Sequence, residues 1–441
     1  MIAAGIDIGT TTISGVVLNT ESGQVLMSRT VSNDSFIDTG NPWERVQDAA
    51  KIVKQARLVL DELLVQHPEI SSIGLTGQMH GIVYVDQDGH AVGPLYTWQD
   101  GRGNLLEFDG HSLTEVIRTA CGLQTASGYG LVTHLYNERN GLVPTEAETF
   151  CTIMDYFGMV LTGRKQPLVH TSNAASFGFF DVKNGCFQED KVAVVWLDSA
   201  VLPAVTDRME ILGSYQGIPV TAAIGDNQAS FLGAVGDKEN TVLLNMGTGG
   251  QISVMSTEYF ETSGIEARPF LDGKYLLVGA SLCGGRAYAI LEKFFREYLR
   301  AAESGEPKVQ YSIMEVLARK GKAAFTSCGA PLAVDTAFSG TREEPDRRGS
   351  ITGISEENFT PEALTYGVLH GMAKELYDLY RKIDAGCKIS VSHLIGSGNG
   401  LRKNPVLVEI FEDMFGTGLE LSSYEEEAAC GAAKSSCMIK I

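Results

Sequence analysis

Two stretches far apart in the chain share one layout, and this repetition constrains the fold more than any other feature. Ile2 to Ile8 is an apolar run, Ile13 to Leu18 is a second, and between them stands the turn Gly9-Thr10-Thr11-Thr12. In the second half, Leu243-Leu244 and Ile252 to Val254 flank Gly247-Thr248-Gly249 in the same way. Each stretch reads as two strands joined by a tight turn, and the recurrence predicts a duplicated domain. A turn of glycine and hydroxyl residues offers backbone N–H groups and hydroxyls, which is what a polyphosphate needs. The copies differ in that Asp7 precedes the first turn where Asn245 precedes the second. If both turns grip one nucleotide, its metal belongs on the side of Asp7.

The segments around these hairpins support an α/β duplication. In each half three strands are followed by helix, strand, helix, strand and helix, and a boundary near Val235 to Glu239 divides the chain into 1–236 and 237–441. Asn41-Pro42-Trp43-Glu44 has the pattern of a helix start, with the apolar face Val46, Ala49, Val53, Leu60 and Leu64 following. Asn404-Pro405 opens another helix, and Pro361 begins a long one running to about Ile383.

Bulk properties exclude several functions. With 441 residues the chain can bury two large cores, and its net charge of −19 disfavours nucleic acid or an anionic membrane as partner. No apolar run reaches the length of a membrane span, and no charged-then-apolar leader opens the sequence, so a cytoplasmic location is expected. The 8 cysteines, Cys328 among them, show neither C-x-x-C pairs nor histidine-linked spacing, which disfavours disulfide and zinc frameworks.

Candidate chemistry falls at strand ends. Asp226 follows the apolar run Val220 to Ile224 and precedes Asn227, so its carboxylate is expected at the carboxyl end of a sheet, either as a general base or as a helix cap. Gln78, His80, Trp98, Asp100 and Arg102 lie on two loops and combine an amide, an imidazole, an indole, a carboxylate and a guanidinium, a mixture suited to a polyol. Asp100 and Arg102 can equally form a local ion pair. Gly396-Ser397-Gly398-Asn399 is a glycine-rich turn after a strand, where a flat base can approach the backbone, although neither a P-loop nor a complete dinucleotide fingerprint is present. Glu425 to Ala433 starts a helix with acids and continues with small residues that permit close packing.

In combination these segments resemble the FGGY carbohydrate kinases, of the same superfamily as hexokinase, actin and the Hsp70 ATPase domain, over essentially the whole chain. The resemblance implies duplicated ribonuclease H-like domains with an interdomain cleft. It further implies ATP as co-substrate, Mg²⁺, and transfer of the γ-phosphate to a terminal hydroxyl of a ketose. Asp226 would be the base, and Asp7 and Asp226 would hold the metal through water. Gln78, Met79, His80, Trp98, Asp226 and Asn227 would contact the sugar. Gly9, Thr10, Thr11, Thr12, Gly247, Thr248, Gly249, Gly396, Ser397, Gly398 and Asn399 would contact the nucleotide, with Glu426 to Ala433 also on the adenosine side. Within the family, Thr97 to Arg102, Asn173 to Gly178 and Ala280 to Gly285 are most similar to the branch that phosphorylates sedoheptulose, with the xylulose branch as nearest rival. A different sugar, a noncatalytic sugar or nucleotide sensor, and a partner-moving ATPase are the other readings. A homodimer is compatible with the sequence.

Overall fold

The computed structural model describes residues 1–236, 238, 240–302, 305–327, 332–342 and 344–439. Two residues of the expected boundary, Asp237 and Glu239, and the thiol Cys328 lie outside them. The chain divides into two compact units. The first comprises Met1–Gly236, Arg268–Lys274 and Tyr424–Ile441, and the second Asp237–Ala267 and Tyr275–Ser423.

The first unit is built on β1 (Ile2–Ile8), β2 (Thr12–Asn19), β3 (Gln24–Ser32), β4 (Ser72–Gly77) and β5 (Ile218–Thr221). Across the sheet they run β3, β2, β1, β4, β5, with Ile211–Tyr215 at the far edge. β1 is antiparallel to β2, with Ile8 opposite Ile13, and parallel to β4. The second unit contains β6 (Thr241–Met246), β7 (Gly250–Ser256), β8 (Tyr275–Ser281), β9 (His393–Ser397) and β10 (Leu419–Leu421), in the order β8, β7, β6, β9, β10. β6 is antiparallel to β7 and parallel to β9. Each sheet therefore has the same order and sense in its five central strands, with the glycine turn between its first two strands. The duplication read from the hairpins extends to the topology.

One helix start differs from expectation. Val46-Gln47 is a short strand paired with Phe36-Ile37 and Leu95-Tyr96, and α1 (Ala49–Gln66) begins later. Its cap is Asp48, which accepts from Lys51 N at 3.0 Å. Asn41 and Glu44 close their own turn, with Glu44 N donating to Asn41 O at 3.2 Å, and Thr97 N draws Arg45 O into strand geometry at 3.0 Å. Cross-strand pairing prevails over a local helix signal here.

Two helices complete the first unit's site region: α2 (Asp226–Val235), which starts directly after the strand Ile224-Gly225, and α5 (Glu427–Ser435). Between them in chain order lie α3 (Gly284–Ala302) and α4 (Pro361–Cys387) of the second unit. The residues of α5 fold with the first unit although they come from the chain's last segment, which differs from a simple cut after 236. A Cβ on Gly5 of β1 would stand 1.9 Å from Ala429 O, and one on Gly431 would stand 1.8 Å from Ala229 O of α2. Small residues let α5 lie directly on sheet and helix, so this segment buttresses the first unit.

Among the described residues no helix is long and apolar enough to cross a membrane. The seven described cysteines are free thiols.

Candidate active site

In the first unit the Gly9 to Thr12 turn is held by its carbonyls. Asn33 Nδ2 donates to Gly9 O at 2.8 Å and Gln47 Nε2 to Thr10 O at 2.9 Å, while Asn33 N donates to Thr11 O at 2.8 Å. A trans peptide directs its N–H opposite its C=O, so the N–H groups of Thr10, Thr11 and Thr12 point away from these anchors. Thr11 and Thr12 are exposed. The turn thus directs its N–H groups away from its anchors, Asn33 and Gln47, which sequence reading did not single out.

The acids follow from the strand ends. Asp7 is the penultimate residue of β1, and Asp226 is the first residue of α2, with Gly225 rather than Asp226 as the cap. Burial first, then the charges of Asp226 and Glu426, push the Asp7 carboxyl up to about 7. Burial pushes Asp226 up to about 6, while the Asn227 N–H and the Arg268 charge hold it down. Arg268 reaches this place because its segment docks on α2. Gln228 Nε2 donates to Pro269 O at 2.9 Å, and Phe231 meets Phe270 edge-on at 5.7 Å. No local motif marks Arg268, which lies near the end of the strand Ile265–Pro269 and, with the residues to Lys274, is grouped with the first unit. Asn227 Oδ1 is buried with no hydrogen-bond partner among the described residues.

The sugar-loop candidates separate into distinct roles. His80 holds a positive φ of 72°, a conformation that a side chain keeps only when its surroundings enforce it. Ser176 supplies that enforcement, accepting from His80 N at its Oγ at 2.9 Å and lying 2.8 Å from Nδ1 through its carbonyl oxygen. A carbonyl cannot donate, so Nδ1 carries a proton. Tyr129 stacks on this ring at 4.8 Å. Trp98 is 48% exposed, with Nε1 donating to Thr10 Oγ1 at 3.0 Å, and therefore presents a ring face. Gln78 is buried, and its amide is engaged by Thr10 Oγ1 at 3.2 Å and Gln47 Oε1 at 2.9 Å. Met79 is a core residue whose sulfur closes on Gly225.

Asp100 and Arg102 resolve as an internal ion pair. Their closest approach is 2.7 Å, Arg102 is 1% exposed, and its guanidinium lies over Tyr96 at 4.4 Å. Asp100 Oδ2 also accepts from Arg45 N at 2.9 Å. The pair shapes the loop that carries Trp98.

The second unit contains a cavity of about 970 Å³ lined by Gly247, Thr248, Gly398 and Asn399. Tyr288 and Tyr311, ring centroids 5.8 Å apart, and Arg286 also line it. Gly285 N donates to Gly247 O and Arg286 N to Thr248 O, both at 3.0 Å, which ties the turn to the start of α3. Gly249, Gly396 and Ser397 are not in the lining. Gly249 backs onto Ser281 O, Gly396 onto Leu419 and Leu401, and Ser397 Oγ accepts from Asn245 Nδ2 at 2.7 Å. These three support the turn from behind. Asn245 therefore serves as a strand-to-strand clamp in the place that Asp7 holds in the first copy.

Comparison with known proteins agrees with this arrangement. The model for the N-terminal domain of the FGGY family of carbohydrate kinases matches residues 2–243, and the model for its C-terminal domain matches 242–438. A sedoheptulokinase of Mus musculus is 26% identical over 457 residues, covering 94% of this chain and 93% of its own. The human sedoheptulokinase is also 26% identical, covering 98% and 96%. Among solved structures, a xylulose kinase from Rhodospirillum rubrum matches with TM-score 0.82 at 23% identity, over 99% of this chain and 89% of that one. A Plasmodium falciparum glycerol kinase with ADP matches with TM-score 0.76 at 20% identity, over 99% and 88%. The fold is the duplicated ribonuclease H-like ATPase fold, and the chain belongs to the FGGY family of carbohydrate kinases.

Proposed function

We propose that this sugar kinase transfers the γ-phosphate of ATP to the terminal hydroxyl of sedoheptulose, giving sedoheptulose 7-phosphate. The observation that carries the reaction is the pair of carboxylates in the first unit, beside a turn whose N–H groups face outward. A base must be ionised at working pH yet close enough to a hydroxyl's needs to accept its proton. Asp226, at about 6 and at a helix N-terminus, meets that condition. His80 accepts from a sugar hydroxyl through Nε2, Asn227 Oδ1 accepts another, and Trp98 supplies a flat wall for C–H groups. The choice of sedoheptulose rests on the names of the two mammalian relatives, matched along nearly the whole chain. Xylulose is the second reading, because the solved relatives include xylulose kinases.

Gly247, Thr248, Gly398 and Asn399 receive the nucleotide in the second unit's cavity, with Tyr288 and Tyr311 as aromatic surfaces. Gly9, Thr10, Thr11 and Thr12 donate to the transferring phosphate through their N–H groups. The residues fit a divalent cation. Asp7 is lifted by burial first and then by the charges of Asp226 and Glu426, and a carboxylate so placed gains when a cation replaces its proton. Asp7 and Asp226 would hold Mg²⁺ through water, and bound there it would offset the phosphate charge. The location expected from the sequence is cytoplasmic.

The test is ADP release with ATP and Mg²⁺ against sedoheptulose, xylulose, ribulose, gluconate and glycerol. Sedoheptulose is expected to give the highest kcat/KM. Asp226→Asn is expected to retain sugar binding and lose about 10²- to 10⁴-fold in turnover. A preference for xylulose would replace the substrate, and full turnover in Asp226→Asn would remove the base.

A further inference from the structure

Four side chains of the first unit form one directed hydrogen-bond circuit. Trp98 Nε1 donates to Thr10 Oγ1 at 3.0 Å, and that hydroxyl donates to Gln78 Oε1 at 3.2 Å. Gln78 Nε2 donates to Gln47 Oε1 at 2.9 Å, and Gln47 Nε2 returns to Thr10 O at 2.9 Å. Every donor meets an acceptor and every amide is oriented by its neighbour, an arrangement in which each bond polarises the next. The circuit joins four segments with no sequence proximity: the turn after β1, the short strand Val46-Gln47, the loop after β4 and the loop after Tyr96. Gln47 is 0% exposed. It reaches no solvent and therefore no ligand.

We infer that Gln47 is a positioning residue that makes the first phosphate turn and the sugar face one rigid piece. The inference rests on the kinase reading above and assigns Gln47 and Gln78 a task apart from ligand contact. Both functional groups of the Gln78 amide are already engaged by the protein, so its part is to transmit. Through Gln47 the Thr10 carbonyl is pulled back and its partner N–H groups are aimed outward. Through Gln78 and Thr10 the indole N–H is fixed, which sets the plane of the ring offered to the sugar. A phosphate and a hydroxyl that must meet in line benefit when their holders move together, since misplacement by about 1 Å can remove about 10²-fold in rate. Asn33, which grips the turn at Gly9 and Thr11, lies outside the circuit and anchors the turn without linking it to the sugar face.

The experiment compares the unmodified chain with Gln47→Leu, Trp98→Phe and the double variant. Trp98→Phe keeps a smaller aromatic face and removes the indole N–H at the exposed end, so it tests the circuit even where Gln47→Leu folds poorly. In ligand-free protein, amide hydrogen exchange is expected to quicken about 10-fold in both the Gly9 to Thr12 turn and the Gln78 to His80 loop of Gln47→Leu. KM for ATP and KM for the ketose are expected to rise together, about 10-fold, and the double variant to be no worse than the weaker single, as members of one network behave. Faster exchange in one segment alone, a change in one KM alone, or multiplying effects would overturn the inference. Absence of sugar-dependent ADP release from the unmodified chain would refute the kinase reading instead, and the exchange comparison would still decide the circuit.

Discussion

The charge of Asp226 reaches Asp7. It adds to burial in lifting the Asp7 carboxyl to about 7, whereas Asp226 stops at about 6 because the Asn227 N–H and Arg268 oppose its own burial. Burial lifts both carboxyls, and neighbouring charges add to it at Asp7 and oppose it at Asp226. The more easily ionised of the two is the one proposed as base.

The same relationship predicts a conflict between stability and function at Asp7. A carboxyl whose folded pKa is raised keeps its proton longer in the fold than in the open chain, so stability falls as pH rises from about 4 through about 7. Asp7→Asn removes that penalty. We expect the variant to gain about 2 to 4 kcal/mol at pH 8 and nothing at pH 3, with activity lost. Thermal melts at several pH values check the sign: a gain larger in acid than at pH 8 would contradict the account.

Buried histidines set the opposite limb. His134 and His170 are pushed down to about 4, by burial in each case. Arg102 donates to Asn137, Asn137 Nδ2 donates to Tyr84 OH at 3.2 Å, and Tyr84 OH donates to His134 Nδ1 at 3.0 Å, so the ring is a neutral acceptor. Below about 6.5 the unfolded chain binds protons that the folded chain refuses, and stability is lost as pH falls toward 4. Each histidine contributes about 3 kcal/mol over that window. His134→Gln should flatten the acid side of a urea-midpoint profile, and an unchanged profile would exclude His134.

Arg102→Met leaves Asp100 without its guanidinium and strips the cation from Tyr96. Breaking a buried pair by deleting one partner costs about 3 to 5 kcal/mol. Asp100→Asn combined with Arg102→Met should recover part of that loss, because no isolated charge remains. Equilibrium urea unfolding measures both, and simple additivity would show that the pair is not coupled.

Gly398 offers a test of the proposed assignment of ATP to the second unit and the ketose to the first. It has a φ of 85°, and a Cβ there would stand 2.6 Å from Met246 O. Gly398→Ala is expected to weaken ATP binding about 10-fold or more while ketose binding by the first unit is unchanged. Titration calorimetry with each ligand alone distinguishes these, and equal weakening of both would place the effect in folding rather than in the cavity.

Much of the site was legible because its signals are local. The two hairpin turns, Asp7 and the strand-end position of Asp226 follow from apolar periodicity and small residues over a few positions. His80 and Trp98 were legible as residue types, but the tautomer of one and the exposed face of the other depend on Ser176 and Thr10, which no local pattern links to them. Gln78 and Met79 illustrate the converse. Sugar contact was expected of both, yet the amide is engaged by Gln47 and Thr10, and the thioether fills the core beside Gly225. Gly396 and Ser397 likewise lie behind the turn, since strand pairing had already claimed them.

By itself the sequence determined the duplicated α/β architecture and the two glycine turns between paired strands, because hydrophobic period and glycine placement act over short range. Only the tertiary structure decided that Gln47 belongs to a strand, that Arg268 and α5 fold with the first unit, and that Asp7 and Asp226 hold different proton affinities. Those outcomes depend on burial and on charges brought together from residues hundreds of positions apart, and both are properties of the packed fold rather than of any segment.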